Sequence, residues 1–300
     1  MNIPSKYKFW RYPLLLKLRY GLSALLHPLN SVGITYWINA NIFMWSTKIK
    51  PYNWGDYINL VLAEFISGKK VIPSAIYRMN TNYAMVGSIL PWASDENTYI
   101  WGSGCLNSND PLWKNCQKPI KVCAVRGPLT RKVLLQNGIQ CPEVYGDPAL
   151  LFPRFYTPKL CKHEHKRIGV VCHVSSLSEG MTFVHSCNFK KVIFINPKHF
   201  SHWQEFIDKI CSCDLVLSSS LHGLIIADAY QVPNVWITIT GHEHPDNNFK
   251  FHDYLQSVGK DLPAPKPIQE LDLDNIESYI VQYKKPIIDL DKLLNACPFI

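Results

Sequence analysis

With 300 residues, 47% of them hydrophobic and 12% aromatic, the chain can bury a large core, and at roughly 150 residues per domain it has room for two domains. That composition excludes disordered and fibrous classes. The net charge of +8 gathers at one end: residues 1–55 hold seven bases (Lys6, Lys8, Arg11, Lys17, Arg19, Lys48, Lys50) and no acid, leaving 24 bases against 23 acids in the body. A body without a basic stripe or a recognised binding motif does not point to nucleic acid as a partner.

The first predicted element is a helix over residues 13–26, "PLLLKLRYGLSALL", opened by Pro13 at its first position. Leu14, Leu15, Leu18, Leu22, Leu25 and Leu26 form one stripe flanked by Lys17 and Arg19. At 1.5 Å per residue it spans about 20 Å, short of the roughly 30 Å hydrocarbon core of a bilayer. Two readings stay open: residues 1–30 touch an anionic membrane surface, or the helix packs on its own domain with charged edges.

From there, strand and helix patterns alternate. "TYWINA", "YAMVGSI", "TYIW", "KVCAV" and "EVYG" read as strands in the first half, and "RIGVVC", "KVIFIN", "CDLVLS" and "NVWITI" in the second. Helical patterns lie between them: "DYINLVLAEFISG", "PLTRKVLLQNG", "SHWQEFIDKICS" and "LHGLIIADAYQ". Asp56 is a cap for the first and Gly68 its end; Pro128 opens the second and Gly138 closes it; Ser201 and Gln204 have capping-box spacing. The alternation means βαβ units and parallel sheets. The fold expected is α/β, with two Rossmann-like domains facing a cleft. "LFPRFYTPKLCKHEHKR", with prolines at 153 and 158 and no period, reads as the connector. The expected division is residues 1–155, residues 165–270, and a helical tail over 271–300.

In such sheets ligands bind outside the carboxyl ends of the strands, where helix N-termini point their N–H groups. "SSSLHGLIIADAYQVPNVW" (218–236) is the best match to that place. Ser219 and Ser220 fall at a turn or cap, and His222 and Gly223 in the first helical turn, giving an anion seat with a group that can move a proton. Caps alone account for serines there, but not for the histidine. In "AVRGPLTRKVL", Arg126 leaves a strand and can grip a phosphate or carboxylate, or else bond nearby carbonyls. Asn53 and Asp56 in "NWGD" either contact a ligand or simply start a helix. His173 ends a strand on the same edge, and Lys250 in "NNFKFHDY" either reaches the cleft or stays a solvated loop lysine.

Ten cysteines in a chain without a recognisable secretory signal are expected to be reduced. The nearest approaches to metal-ligand spacing are Cys211-Ser-Cys213 and His242-Glu-His244, and no metal or cofactor is expected. There is no GxxxxGK[ST], HExxH or GxSxG, and "GSGCLN" breaks the dinucleotide fingerprint at its third glycine.

Taken in order, "NWGD" (53–56), "WGSG" (101–104), "VRGPLTRKVL" (125–134), "YGDPALLFP" (145–153), "SSSLHGLIIADAYQVPNVW" (218–236), "FKFHDY" (249–254) and "ACPF" (296–299) resemble the polysaccharide pyruvyltransferase family, most closely its exopolysaccharide ketalase branch. The resemblance implies a fold like the two-domain glycosyltransferase B type. It implies phosphoenolpyruvate as donor and transfer of pyruvate, as a cyclic ketal, onto two hydroxyls of a sugar or lipid-linked oligosaccharide in exopolysaccharide or capsule synthesis. The expected station is the cytoplasm, at the inner face of the cell membrane. Arg126 matches the family's arginine after the strand, a donor contact, and His222 matches its "LHG" histidine. Many members have an arginine just before "LHG"; here that position is Ser220, and Lys250 and Arg126 are the proposed substitutes. His222 would act as the acid that protonates C3 of the donor. Two rivals are a sugar-nucleotide glycosyltransferase of the same architecture and a non-catalytic membrane-associated scaffold of glycan assembly.

Overall fold

The structure, a computed structural model, describes residues 14–36, 53–111, 113, 116–160, 165–187, 191–239 and 248–300. The chain divides into two compact units, Met1–Pro148 with Asp289–Ile300, and Ala149–Ile288.

The first unit opens with helix α1 (Leu14–Leu26), followed by β1 (Ser31–Thr35), α2 (Trp54–Ser67), β2 (Lys70–Pro73), β3 (Asn82–Ala84), β4 (Thr98–Trp101), β5 (Lys121–Ala124) and α3 (Pro128–Gln136). The five strands are parallel, in the order β2-β1-β3-β4-β5. Their buried residues Val32, Ile34, Ile72, Ala84, Ile100, Val122 and Ala124 form the middle layer.

The second unit holds β6 (Ile168–Val171), α4 (Leu177–Ser186), β7 (Val192–Phe194), α5 (Trp203–Cys211), β8 (Leu215–Ser218), α6 (Leu221–Ala229), β9 (Asn234–Thr238), α7 (Phe249–Ser257), β10 (Lys266–Pro267) and α8 (Ile276–Gln282). The order β10-β9-β8-β6-β7 is again wholly parallel. Both units are therefore α/β and Rossmann-like, and numbered within each unit both sheets run 2-1-3-4-5. The last helix, α9 (Leu290–Asn295), returns to the first unit. There the Trp101 indole donates to Leu293 O at 2.8 Å, and Phe299 packs on Tyr83 and Trp101, with centroids 4.9 and 5.8 Å apart.

Several expectations need correcting. α2 is capped by Asn53, whose Oδ1 accepts from Gly55 N at 3.2 Å, and Asp56 sits in the first turn; Gly68 ends the helix in the left-handed region, φ 64°. α5 has His202, not Ser201, at its N-cap, and Ser201 N donates to Glu205 Oε2 instead. The first strand lies at 31–35, upstream of most of "TYWINA", whose residues 37–40 are outside those described. "YAMVGSI" supplies only two strand residues, Tyr83 and Ala84 of β3 (Asn82–Ala84), because the Asn59 amide bonds both Val86 N and Val86 O and takes them off the ladder. "EVYG" makes a single bridge, Val125 to Tyr145. Leu151 and Phe152, read as connector, are core residues in a 3-10 turn over Pro148–Arg154. The His242-Glu-His244 spacing falls outside the described residues.

Candidate functional site

In a 2-1-3-4-5 sheet the connections leave strands 1 and 3 in opposite directions, which opens a crevice at their carboxyl ends. In the second unit those strands are β6 and β8, neighbours in register from Ile168↔Leu215 to Val171↔Ser218. Right-handed crossovers put α4 on one face and α5 with α6 on the other, and α5 packs against α6 accordingly. The residues that flank this switch point are His173 after β6 and Ser219, Ser220, His222 and Gly223 after β8. The sequence singled out all five, and the sheet brings them together.

Hydrogen bonds tie the two edges. His173 N donates to Ser219 Oγ at 3.0 Å, and Ser219 N donates to Val171 O at 3.0 Å. Ser218 Oγ, fully buried, accepts from Ser220 N at 3.1 Å and lies 2.8 Å from Ser220 O and 3.2 Å from Val171 O. Ser220 is the N-cap of α6 by backbone, but its side chain makes no capping bond. The serine that fixes the turn is Ser218, one of the quoted hydroxyls the sequence reading gave no role.

α6 is buried nearly all round, from Leu221 to Asp228, so its first turn is pressed onto the strand ends. A Cβ on Gly223 would stand 2.2 Å from Ser218 Oγ and 2.9 Å from Val171 Cγ1, which is why only glycine follows His222. His222 itself is partly exposed, with Nε2 turned away from solvent. His173, also partly exposed, has Nδ1 fixed by Ser175: Ser175 N donates to it at 3.3 Å and Ser175 Oγ lies 2.8 Å away. In the neutral ring the proton then sits on Nε2. Cys172, next to His173 in the chain, is a core residue whose sulfur packs against Gly180 of α4; burial pushes its thiol up to about 12, with the Ser219 hydroxyl pulling the other way, which disfavours a thiolate there.

Lys250 is in the first turn of α7 and only 8% exposed, not the solvated loop lysine that was one alternative. Its Nζ lies 5.4 Å from the centroid of Phe251, and Phe251 stacks on Trp236 at 4.6 Å. Trp236 pairs with Ser218 in the sheet, so the stack is attached one strand over from the switch point.

In the first unit the corresponding strands are β1 and β3. α2 follows β1, and its Asn59, buried in the helix, bonds Val86 just beyond β3, so the "NWGD" turn is anchored to the carboxyl edge. Burial pushes the Asp56 carboxyl up to about 7, against the lowering effect of the Asn53 side chain. Arg126, at the end of β5, is 0% exposed. Its Nη1 donates to Ser88 Oγ at 2.6 Å and its Nη2 to Cys105 O at 2.7 Å, while a Cβ on Gly104 would fall 2.4 Å from its Cζ. The guanidinium thus lies along the carboxyl edge beneath "WGSG" and knits the loops after β3, β4 and β5.

One further group escaped the sequence reading. Asp228 on α6 accepts from Tyr254 OH at 2.8 Å, Lys260 Nζ at 2.5 Å, Asn234 Nδ2 at 2.7 Å and Tyr283 OH at 3.1 Å. A carboxylate inside an otherwise apolar helix pattern was the available signal. It sits at the end of α6 remote from His222 and locks that helix to its neighbours.

The chain is 28% identical over 252 residues to the uncharacterized protein L143 of Acanthamoeba polyphaga mimivirus, covering 83% of this chain and 85% of that one. It is 28% identical over 221 residues to the succinoglycan biosynthesis protein ExoV of Rhizobium meliloti (strain 1021), covering 70% of this chain and 65% of ExoV. The family model for polysaccharide pyruvyl transferase matches residues 5–241, a stretch that takes in both switch points. The chain belongs to the polysaccharide pyruvyl transferase family.

Proposed function

We propose that the protein moves pyruvate from phosphoenolpyruvate onto two hydroxyls of a sugar as a cyclic ketal, on a surface-polysaccharide precursor in the cytoplasm. The observation that carries the reading is the pairing of His173 with the Ser219–Gly223 turn across the β6/β8 switch point. The reading brings with it the two-domain architecture of glycosyltransferase B type.

The donor's phosphate and carboxylate carry up to three negative charges. The N-terminus of α6, whose own cap side chain makes no capping bond, suits the phosphate through backbone N–H groups and the helix dipole. His173 would donate to it from Nε2, and Lys250 adds a nearby positive charge. His222 would give its proton to C3, which makes C2 electrophilic. The first sugar hydroxyl adds to C2 and returns a proton to the imidazole; the C2–O bond to phosphate breaks; the second hydroxyl then closes the ring and gives its proton to the departing phosphate. The products are the ketal and inorganic phosphate, and each proton taken is given back. Arg126, enclosed by protein, serves as a positioning residue for the loops of the first sheet, and Asn53 and Asp56 are assigned to the acceptor hydroxyls.

The test is incubation of the purified protein with a lipid-linked oligosaccharide extract and either phosphoenolpyruvate or nucleotide sugars. Phosphate release with the first, and loss of that release in His222→Ala by about two orders of magnitude or more, is expected. Release of nucleoside diphosphate instead, or a wild-type rate in His222→Ala, would overturn the assignment. A scaffold would show neither product.

A further inference from the structure

Helix α1 is mounted with its apolar stripe outward. Leu16, Gly21, Ser23 and Ala24 face the protein, and Gly21 is close enough to Tyr77 that a Cβ would stand 3.2 Å from the ring. The leucines take the other side: Leu14 is 69% exposed, Leu18 50%, Leu22 55%, Leu25 68% and Leu26 70%, with Leu15 at the margin and Leu29 continuing beyond the helix. At 3.6 residues per turn the six helical leucines fall within an arc of about 120°. A helix that turns its small residues inward and its leucines outward leaves a contiguous apolar surface that water disfavours.

The charges say what covers it. Residues 1–55 carry seven bases and no acid; Arg19 borders the leucine arc, and Lys17 lies on the opposite flank. A second copy of the chain would bring two such basic ends together with no carboxylate to pair them. An anionic lipid headgroup layer meets both needs, taking the leucines at its acyl boundary and the bases at its phosphates. With 13 residues the helix spans about 20 Å, and among the described residues no helix is long and apolar enough to cross a membrane. We propose that α1 docks the protein on an anionic bilayer surface, lying flat with Leu14, Leu18, Leu22 and Leu25 inserted. This adds a partner to the proposed enzyme but rests on the helix and its charge, independently of the donor chemistry.

The experiment is co-sedimentation of the full chain with vesicles of phosphatidylcholine alone and of phosphatidylcholine mixed equally with phosphatidylglycerol. Binding to the anionic vesicles is expected, weakened about tenfold or more in Leu18→Glu/Leu22→Glu/Leu25→Glu and also reduced in Lys17→Glu/Arg19→Glu. Leu18, Leu22 and Leu25 are exposed, so an unchanged melting temperature is expected for the leucine variant and separates lost docking from lost folding. Equal binding by wild type and the leucine variant, or no binding at all, would overturn the proposal. So would a wild-type dimer in light scattering that the leucine variant converts to monomer, because the face would then belong to a second copy. Phosphate release from phosphoenolpyruvate is not read in these arms, so the docking and the reaction stand or fall separately.

Discussion

Asp56 shows how much a single residue's surroundings decide. In the sequence it reads as a cap, and a first-turn aspartate would ordinarily be held ionised by the helix macrodipole. In the structure Asn53 takes the cap, and burial pushes the Asp56 carboxyl up to about 7. The consequence for stability has a definite sign. Between about pH 4 and about pH 7 the folded chain keeps a proton on this carboxyl that the unfolded chain has released, so stability falls as pH rises through that window and levels off above it. Asp56→Asn removes that dependence. Asp56 is partly exposed, so we expect urea midpoints of wild type and Asp56→Asn to converge at low pH and to separate by pH 8 with the variant the more stable. Parallel curves for the two proteins would mean the carboxyl is ordinarily solvated. Arg126 makes the complementary point. Its place after a strand was legible, and so were its two alternatives, carbonyl bonding or anion grip; which partners it takes depends on Ser88 and Cys105, which no spacing rule connects to it.

At the level of elements, the second unit was the easier to read. Its strands β6, β7, β8 and β9 lie within runs marked by apolar and β-branched residues, and α5 and α6 within the intervening helical patterns. The first unit resists the same reading because side chains, not period, end its strands: Asn59 withdraws Val86 from β3, and β1 and β2 are runs of five and four residues that the pattern assigned elsewhere or missed. The approach of α6 to the strand ends is a packing fact that the letters "HG" only hint at. It can be tested through Gly223→Ala, whose new methyl meets Ser218 Oγ and Val171 Cγ1 and should cost about 1–3 kcal/mol of stability. Because the nearest obstacle is a hydroxyl, the same change in a Ser218→Ala background should cost measurably less. Additive losses in chemical denaturation would show that the turn has room to move.

At the scale of the whole molecule, the two units carry the same 2-1-3-4-5 strand order without any repeat visible in the sequence. Alternation of periods identifies parallel α/β sheets but leaves strand order undetermined, since order depends on which strands pair, not on what each contains. The last twelve residues were equally hard to place: a short helix and "ACPF" could dock anywhere apolar. Asp289–Ile300 in fact completes the first unit. Leu293 O accepts from the Trp101 indole in a fully buried site, and Phe299 covers Tyr83 and the same tryptophan. Ending the chain at Ile288 would remove the acceptor of the Trp101 indole, a bond worth about 0.5–1.5 kcal/mol net, and expose the apolar area that Phe299 covers, at about 1.5–3 kcal/mol more. Against a total stability on the order of 5–15 kcal/mol this is a large fraction, and it falls on one unit. Amide hydrogen exchange of the truncated chain should therefore lose protection through β3 and β4 while β6, β8 and β9 keep theirs. Equal loss in both sheets, or none, would show that the tail stabilises the molecule by some route other than the Trp101 and Phe299 contacts.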